Sequence, residues 1–166
     1  MNFNFCAVTL NQPQWLSIKR ILLHMWLSLI VLSTLIICLC TLNYAHNWGG
    51  DFSVYIMQVR SISQFSTGEF IENNRVTIEQ SSTRIGPVAY PWGFPVMLAP
   101  IYATFGLHLF ALKIIGILSY LGFLVVIWYG FERFHSLLWR SAYVLFFAVN
   151  PTLIGFTNHI LSDIPF

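Results

Sequence analysis

The chain has 166 residues, of which 57% are hydrophobic and only 8% are charged, with a formal net charge of +2 at pH 7. Soluble domains carry about 25% charged residues, so this composition excludes an ordinary soluble domain and predicts an integral membrane protein. The small, dispersed positive charge gives no indication of a nucleic-acid partner. The three cysteines have neither metal-ligand spacing nor the pattern of a disulfide framework, and no metal or cofactor is predicted.

The first predicted membrane-spanning helix covers residues 21–42. This apolar run is longer than the roughly 7–15 residues of a signal-peptide core, and no small-x-small cleavage site follows it, so we interpret it as an uncleaved anchor. Lys19 and Arg20 come directly before it. Positive residues favour the inner side of a membrane, which predicts that residues 1–20 are cytoplasmic.

Residues 43–108 are predicted to form a long loop on the outer face, and a loop of this length is typically functional. Residues 51–65 predict an amphipathic helix in the membrane interface, because apolar side chains recur at helical spacing at Phe52, Tyr55, Ile56, Val59 and Ile62. Residues 66–86 are the most polar stretch and are predicted to lie in water. Residues 94–106 are apolar but too few to cross about 30 Å of hydrocarbon, so we interpret them as re-entrant or interfacial.

Two further spans are predicted, at residues 109–131 and 137–157. The second span contains one charge, Lys113, near an end from which its ammonium can snorkel. Residues 132–136 form the predicted cytoplasmic loop, because Arg133 and Arg140 supply positive charge there. Residues 158–166 then begin a second outer loop. This topology places Asp51 and Asp163 on the same outer face.

Each candidate site residue has a structural and a functional interpretation. Asp51 can cap the amphipathic helix, and Asp163 can simply be solvated, but two acids on one face also form a candidate catalytic pair. The outer cations can hold a lipid phosphate or be attracted to anionic headgroups; they are Arg60, Arg84 and Lys113.

Aromatic side chains on the outer loop form a second group of candidates. Tyr90 and Trp92 can stack on a sugar ring, although an aromatic belt at the membrane interface explains them equally well. His159 is a further candidate for contact with the substrate, and it lacks the spacing of a metal ligand.

Four pieces of the sequence resemble the N-terminal part of GT-C-fold glycosyltransferases, namely "GGDFSVYIMQVRSI", "IGPVAYPWGFPVMLAPIYATFG", Lys113 and "NPTLIGFTNHILSDIPF". The relatives are bacterial membrane proteins akin to protein O-mannosyltransferases and lipid A aminoarabinose transferases. The resemblance implies an all-α partial GT-C fold with three transmembrane helices and a long outer loop. It also implies transfer of a sugar from a polyprenyl-phosphate donor to a hydroxyl acceptor, on the outer face of a bacterial inner or plasma membrane.

The resemblance also implies roles for particular residues. Asp51 matches the acid of the first outer loop, which acts as the base, and Asp163 matches the acid near the donor or acceptor sugar. Arg84 is the nearest match to a basic residue that contacts the lipid phosphate, and arginine is common where Lys113 stands. The acceptor, whether glycan, lipid or protein, is left open. Family members have more spans, so we expect this chain to be a fragment of a longer enzyme or a truncated product.

Two other functions compete with glycosyl transfer. The chain can be a non-catalytic membrane scaffold or a fragment of a transporter, in which case neither acid matters for activity. Alternatively, the two carboxylates can hydrolyse a glycoside, although nothing in the sequence fixes the distance between them.

Overall fold

The computed structural model describes residues 12–45, 52–81, 89–133 and 135–160, and the side chains of residues 12–16 are not among the described parts. Within these ranges the secondary structure is entirely helical, which confirms the predicted all-α class. The helices are α1 (Gln12–Thr41), α2 (Phe52–Ser63), α3 (Thr67–Asn73), α4 (Arg75–Gln80), α5 (Gly93–Phe105), α6 (Leu109–Gly130), α7 (Leu137–Ala148) and α8 (Pro151–Phe156).

Helices α1 and α6 form an antiparallel pair at the centre of the molecule. Both are long and apolar enough to cross a membrane, over Ser17–Thr41 and Leu109–Gly130. At one end, Lys113 of α6 bonds to the chain just after α1. At the other end, the Tyr129 hydroxyl lies 3.2 Å from Nδ1 of His24. The predicted topology requires this antiparallel orientation, although α1 begins at Gln12 rather than at residue 21.

The predicted third span, residues 137–157, is divided into two helices. Helix α7 ends at Ala148 and α8 begins at Pro151. Oδ1 of Asn150 accepts hydrogen bonds from the backbone N–H groups of Thr152 at 3.0 Å and Leu153 at 3.2 Å. Asparagine at the N-cap and proline at the first helical position are a strong helix-start signal, and this signal separates the two helices.

Together α7 and α8 run parallel to α1. Near one end, Nε1 of Trp26 donates to Oγ of Ser141 at 3.1 Å. At the other end, Nδ2 of Asn158 donates to the carbonyl of Thr41 at 3.1 Å. The interrupted pair therefore accompanies α1 from Trp26 to Thr41, a helical length of about 22 Å at 1.5 Å per residue.

A buried core joins these helices, and their outer surfaces are apolar as well. The core contains Leu27, Ile30, Cys38, Ile117, Tyr120, Leu124, Trp128, Val144, Ala148 and Ile154. Large apolar side chains are also exposed on the outward faces, including Leu22, Met25, Leu29, Leu32, Ile36, Leu118, Val126, Leu138 and Phe146. Such a surface is costly in water and suits helices surrounded by lipid.

Helices α2 and α5 pack on each other beside the start of α6. The apolar face of α2 was predicted to rest on the membrane interface, but α5 covers it. Phe52 and Val59 are buried in a cluster with Phe94 of α5, and the rings of Tyr55 and Phe94 meet edge to face with centroids 5.3 Å apart. The 13 residues of α5 extend only about 20 Å, too short for a crossing, and its bounds differ by one residue from the predicted segment 94–106.

The transition from α5 to α6 has a defined local cause. Gly106 has φ +65°, a left-handed conformation that glycine adopts without strain, and it ends α5. Nδ1 of His108 then accepts a hydrogen bond from the N–H of Ala111 at 3.2 Å and caps α6.

The described part of the polar stretch, residues 66–81, is largely helical. It contains the short helices α3 and α4, whose side chains are mostly exposed. Arg75 pairs with Glu79 at 2.9 Å and lies 3.7 Å from Glu72. These exposed pairs span one helical turn each, so they support the local helix more than the fold.

Candidate functional site

Three of the predicted site residues lie outside the described residues: Asp51, Asp163 and Arg84. Their neighbours in the chain are described. Phe52 directly follows Asp51, and Ile160 precedes Asp163 by three residues. The positions of Phe52 and Ile160 therefore show where the described chain comes closest in sequence to the two acids.

Lys113, near the start of α6, is a buried polar residue that contacts the chain just after α1. Its prediction as a snorkelling side chain is wrong, because it is only 1% exposed. Its Nζ donates hydrogen bonds to the carbonyl of Asn43 at 2.6 Å and to that of Ala45 at 2.8 Å. Carbonyls just beyond a helix end have no helical N–H partner, so they are good acceptors for an ammonium group. Lys113 thus fixes the chain where it leaves α1.

Asn158, which is not among the predicted site residues, also holds the segment after α1 in place. Its Nδ2 donates to the carbonyl of Thr41 at 3.1 Å, and its Oδ1 accepts from the N–H of Asn43 at 2.8 Å. A side-chain amide is well suited to this task because it donates and accepts at once. An amide directly after the last apolar helix was the available signal.

The neighbours of both acids belong to one apolar cluster. Phe52, Leu112 and Ile160 are each 1% exposed and lie in the same cluster. Leu112 directly precedes Lys113 in the chain. The segment that contains Asp51 and the segment that contains Asp163 therefore both begin at the Lys113 end of α6.

Close packing of α6 on the end of α8 contributes to this arrangement. Gly116 is buried, and a Cβ at its position would lie 3.8 Å from the Cα and carbonyl oxygen of Thr157 and 3.9 Å from the carbonyl oxygen of His159. These distances are ordinary van der Waals contacts, so there is room for a methyl group but not for a larger side chain.

We expect Gly116→Ala to leave the free energy of unfolding nearly unchanged or slightly raised. Gly116→Leu, in contrast, should lower it by about 1–3 kcal/mol because the side chain overpacks the contact with α8. Chemical denaturation in detergent micelles measures both. The alanine variant controls for the loss of glycine flexibility, and equal stability of the two variants would contradict the packing described here.

Arg60 lies in a different place from Lys113. It is exposed near the far end of α2, about 12 Å along the helix axis from Phe52. Its Nε donates to Oε1 of Gln64 at 3.2 Å. It lines an open cavity of about 310 Å³ between α2 and α3 together with Met57, Ser61, Gln64, Ser66, Glu69, Phe70 and Asn73. The structure therefore does not join Arg60 and Lys113 into one cationic site.

Tyr90 and Trp92 are half-buried and pack on one residue of α3. Their rings meet Phe70 edge to face, with centroid distances of 5.6 Å and 5.7 Å. The carbonyl of Tyr90 also accepts a hydrogen bond of 2.9 Å from Nε2 of Gln58. This packing explains the two rings structurally, and their predicted role in sugar stacking stays a prediction.

Gln58 is a buried polar residue that is not among the predicted site residues. It is 0% exposed, and its Oε1 has no hydrogen-bond partner among the described residues. Through its bond to Tyr90 it fixes the point where the chain emerges from residues 82–88, the segment that contains Arg84. Its position at helical spacing from the apolar residues Tyr55 and Ile62 is the signal that places this polar side chain on the face that α5 covers.

His159 lies at the same end of the molecule as Lys113. It is half-buried directly after Asn158, and its ring centroid is 6.5 Å from that of Phe156. Among the residues that the structure describes, no cluster of His, Cys, Asp or Glu is arranged to hold a metal ion. The predicted contact of His159 with a substrate stays a prediction.

Comparison of the chain with models of protein families, with curated proteins and with solved structures finds no match. The resemblance to GT-C-fold enzymes therefore rests on the short motifs around Asp51, the proline turn and Asp163. The geometry adds that the segments leading to both acids share one end of α6.

Proposed function

We propose that the chain is the N-terminal part of an integral-membrane GT-C-type glycosyltransferase. It transfers a sugar from a polyprenyl-phosphate donor to a hydroxyl acceptor on the outer face. In this proposal α1, α6 and the α7–α8 pair are the three spans, and α2 and α5 lie at the outer interface. The antiparallel α1–α6 pair supports it, as does the parallel course of α7–α8 beside α1.

The observation that carries the proposal is the burial of the Lys113 ammonium group. Its partners among the described residues are two neutral carbonyls, and the ion pairs found there involve only Arg75 and Arg140. Burying a positive charge is costly unless an anion compensates it. A donor phosphate at this end of α6 would supply that anion, and so would the carboxylate of Asp51.

The proposed chemistry assigns one task to each group. The acceptor oxygen attacks the anomeric carbon of the sugar, and its proton passes to the carboxylate of Asp51. The bond between the anomeric carbon and the phosphate oxygen breaks, and the electron pair leaves with the polyprenyl phosphate. Lys113 lies where positive charge would stabilise that departing phosphate. Asp163 orients the sugar.

The distribution of cations supports placing this chemistry on the outer face. Lys19, Arg20, Arg133 and Arg140 lie at the end of the helices opposite Lys113. Positively charged flanks favour the cytoplasmic side, so the Lys113 end is proposed to face outwards. Phe52 and Ile160, the described residues nearest in the chain to Asp51 and Asp163, then lie at the outer leaflet, where lipid-linked sugars would be presented.

Binding of the lipid carrier tests the proposal directly. We expect the purified chain in a neutral detergent to bind decaprenyl phosphate at least about tenfold more tightly than decaprenol, because a charge-assisted hydrogen bond contributes about 1.5–3 kcal/mol. Quenching of tryptophan fluorescence during titration measures both affinities. Lys113→Met should remove the preference, whereas Arg75→Met, which changes an exposed cation on α4, should retain it.

Equal binding of the alcohol and the phosphate would count against the proposal. It would favour the second candidate, a non-catalytic membrane scaffold or transporter fragment. One observation favours that candidate. Lys113 already bonds to two carbonyls within the chain, an arrangement that a purely structural lock would also need.

A further inference from the structure

A polar cavity lies at the end of the helices opposite Lys113. Its volume is about 300 Å³, and it opens between α1, α6 and α7. Its lining consists of Arg20, Leu23, His24, Trp128, Tyr129, Glu132 and Arg140. The proposed glycosyl transfer uses none of these residues, so the cavity needs a separate explanation.

Arg140 is the unusual residue of this cavity because its guanidinium is buried. It is 6% exposed, and Cζ lies 4.4 Å from the centroid of the Trp128 ring. One terminal nitrogen lies 3.6 Å from a carboxylate oxygen of Glu132. The Nε atom, however, is buried without a hydrogen-bond partner among the described residues. Arg140, which lines the cavity, therefore carries an unmet donor, and an unmet donor on a charged group costs free energy.

The charge of the cavity favours an anionic acceptor. Arg20 and Arg140 contribute two positive charges, and Glu132 contributes one negative charge on a side chain that is 58% exposed. Nδ1 of His24 and the hydroxyl of Tyr129 lie 3.2 Å apart beside them. Two guanidinium groups offer planar pairs of donors that match the oxygens of a phosphate.

The surroundings of the cavity indicate what carries the phosphate. A wide apolar groove of about 670 Å³ lies between α1 and the neighbouring face of α7, lined by Trp26, Leu137, Leu138, Ser141, Ala142 and Leu145. Several of these side chains are strongly exposed, Leu138 to 77%. Ser141 in this groove directly follows Arg140. A phosphate that enters beside such a surface can keep attached hydrocarbon chains out of water.

We propose that the cavity binds the phosphate of an anionic phospholipid, with Arg140 and Arg20 as its donors. The bound headgroup bridges α7 to α1 and α6, while the acyl chains lie along the apolar groove. This site lies at the end of the helices that is predicted to be cytoplasmic, where anionic lipids are abundant. It does not depend on the proposed transferase function.

Lipid titration of the detergent-purified full chain, followed by native mass spectrometry, tests this site. The probes are dioleoylphosphatidylglycerol and dioleoylphosphatidylcholine, which share their acyl chains and differ in net charge. We expect phosphatidylglycerol to bind more tightly than phosphatidylcholine. Arg20→Gln should weaken it about fivefold, since one cation at a membrane surface contributes about 1 kcal/mol.

Lys19→Gln is the matched control, because Lys19 is an adjacent exposed cation that does not line the cavity. It should change the affinity by less than about twofold, as expected for an exposed charge outside a site. Equal losses in the two variants would show diffuse attraction and overturn the proposal. Arg20 is preferred to Arg140 for this comparison, because removal of a buried guanidinium also changes folding.

Sodium phosphate without lipid distinguishes the two sources of phosphate. We expect millimolar phosphate to leave the thermal unfolding midpoint of the lipid-free chain unchanged relative to sodium sulfate at equal ionic strength. Added to the lipid titration, it should also leave the affinity for phosphatidylglycerol unchanged. The lipid assignment would be overturned if phosphate raised the thermal midpoint, Arg20→Gln removed that rise, and the chain showed no preference for phosphatidylglycerol. Absence of any preference between the two lipids would overturn it as well.

Discussion

Asp51→Asn is expected to abolish sugar transfer while leaving folding and membrane insertion intact. Asparagine and aspartate are about equally good N-cap residues, so the substitution keeps a residue able to cap a helix at the position before α2. It removes the proposed base, and general-base catalysis contributes about 10²–10⁴-fold to a rate. Release of polyprenyl phosphate from polyprenyl-phosphate sugars, in membranes that carry the chain, measures the loss.

Glu69→Gln is a suitable control for this experiment, because it neutralises an acid on α3 that lines the cavity beside Arg60. Its turnover should match that of the wild type. Wild-type-like turnover of Asp51→Asn would eliminate Asp51 as the base. Absence of release by the wild-type chain would instead contradict catalysis by the chain as it stands, and binding of decaprenyl phosphate would then separate an inactive fragment from a scaffold.

The second large effect is expected from Lys113→Met. Methionine has a similar length and suits an apolar site, but it leaves the carbonyls of Asn43 and Ala45 without the ammonium donor that they share. Hydrogen bonds to a charged group contribute about 1.5–3 kcal/mol each. Asn43 and Ala45 are themselves exposed, so water replaces part of the lost bonding, and we expect a net loss of about 2 kcal/mol in the free energy of unfolding. Chemical denaturation in detergent micelles measures it.

A local measurement separates this anchoring role from general destabilisation. If Lys113 fixes the chain after α1, protease cleavage within residues 43–51 should increase in Lys113→Met under conditions in which α7 stays protected. Lys19→Met removes an exposed cation and should change the stability by less than about 0.5 kcal/mol. An unchanged midpoint and an unchanged cleavage pattern in Lys113→Met would contradict the anchoring role.

Much of the helical framework could be predicted because apolar periodicity is a strong local signal. The predicted segments 51–65, 94–106 and 109–131 correspond closely to α2, α5 and α6. The division of residues 137–157 had a local signal too. Asn150 and Pro151 form a helix-start pair, but the length of the apolar run outweighed it in the prediction. The beginning of α1 at Gln12 had no comparable apolar signal.

The candidate site was harder to predict because its contacts join residues far apart in the chain. Lys113 bonds to residues about 70 positions earlier, and Asn158 to residues about 115 positions earlier. Sequence patterns report which side chains are apolar, but they do not report which carbonyl a buried ammonium will meet. The packing of α5 on α2 is likewise a tertiary contact. The hydrogen bond from Gln58 to the carbonyl of Tyr90 depends on tertiary structure too, so the sequence does not predict it.

In the proposed topology, the interruption between α7 and α8 lies within the third membrane-spanning segment. A helix that ends within hydrocarbon leaves carbonyls without donors, and each is costly there. At this break, the carbonyl of Phe147 accepts hydrogen bonds from the hydroxyl of Tyr120 on α6 and from the N–H of Asn150. Part of the compensation thus comes from another helix. During biogenesis the third apolar segment would gain its full stability in lipid only after α6 is in place, which makes its insertion sequential and dependent on its neighbour.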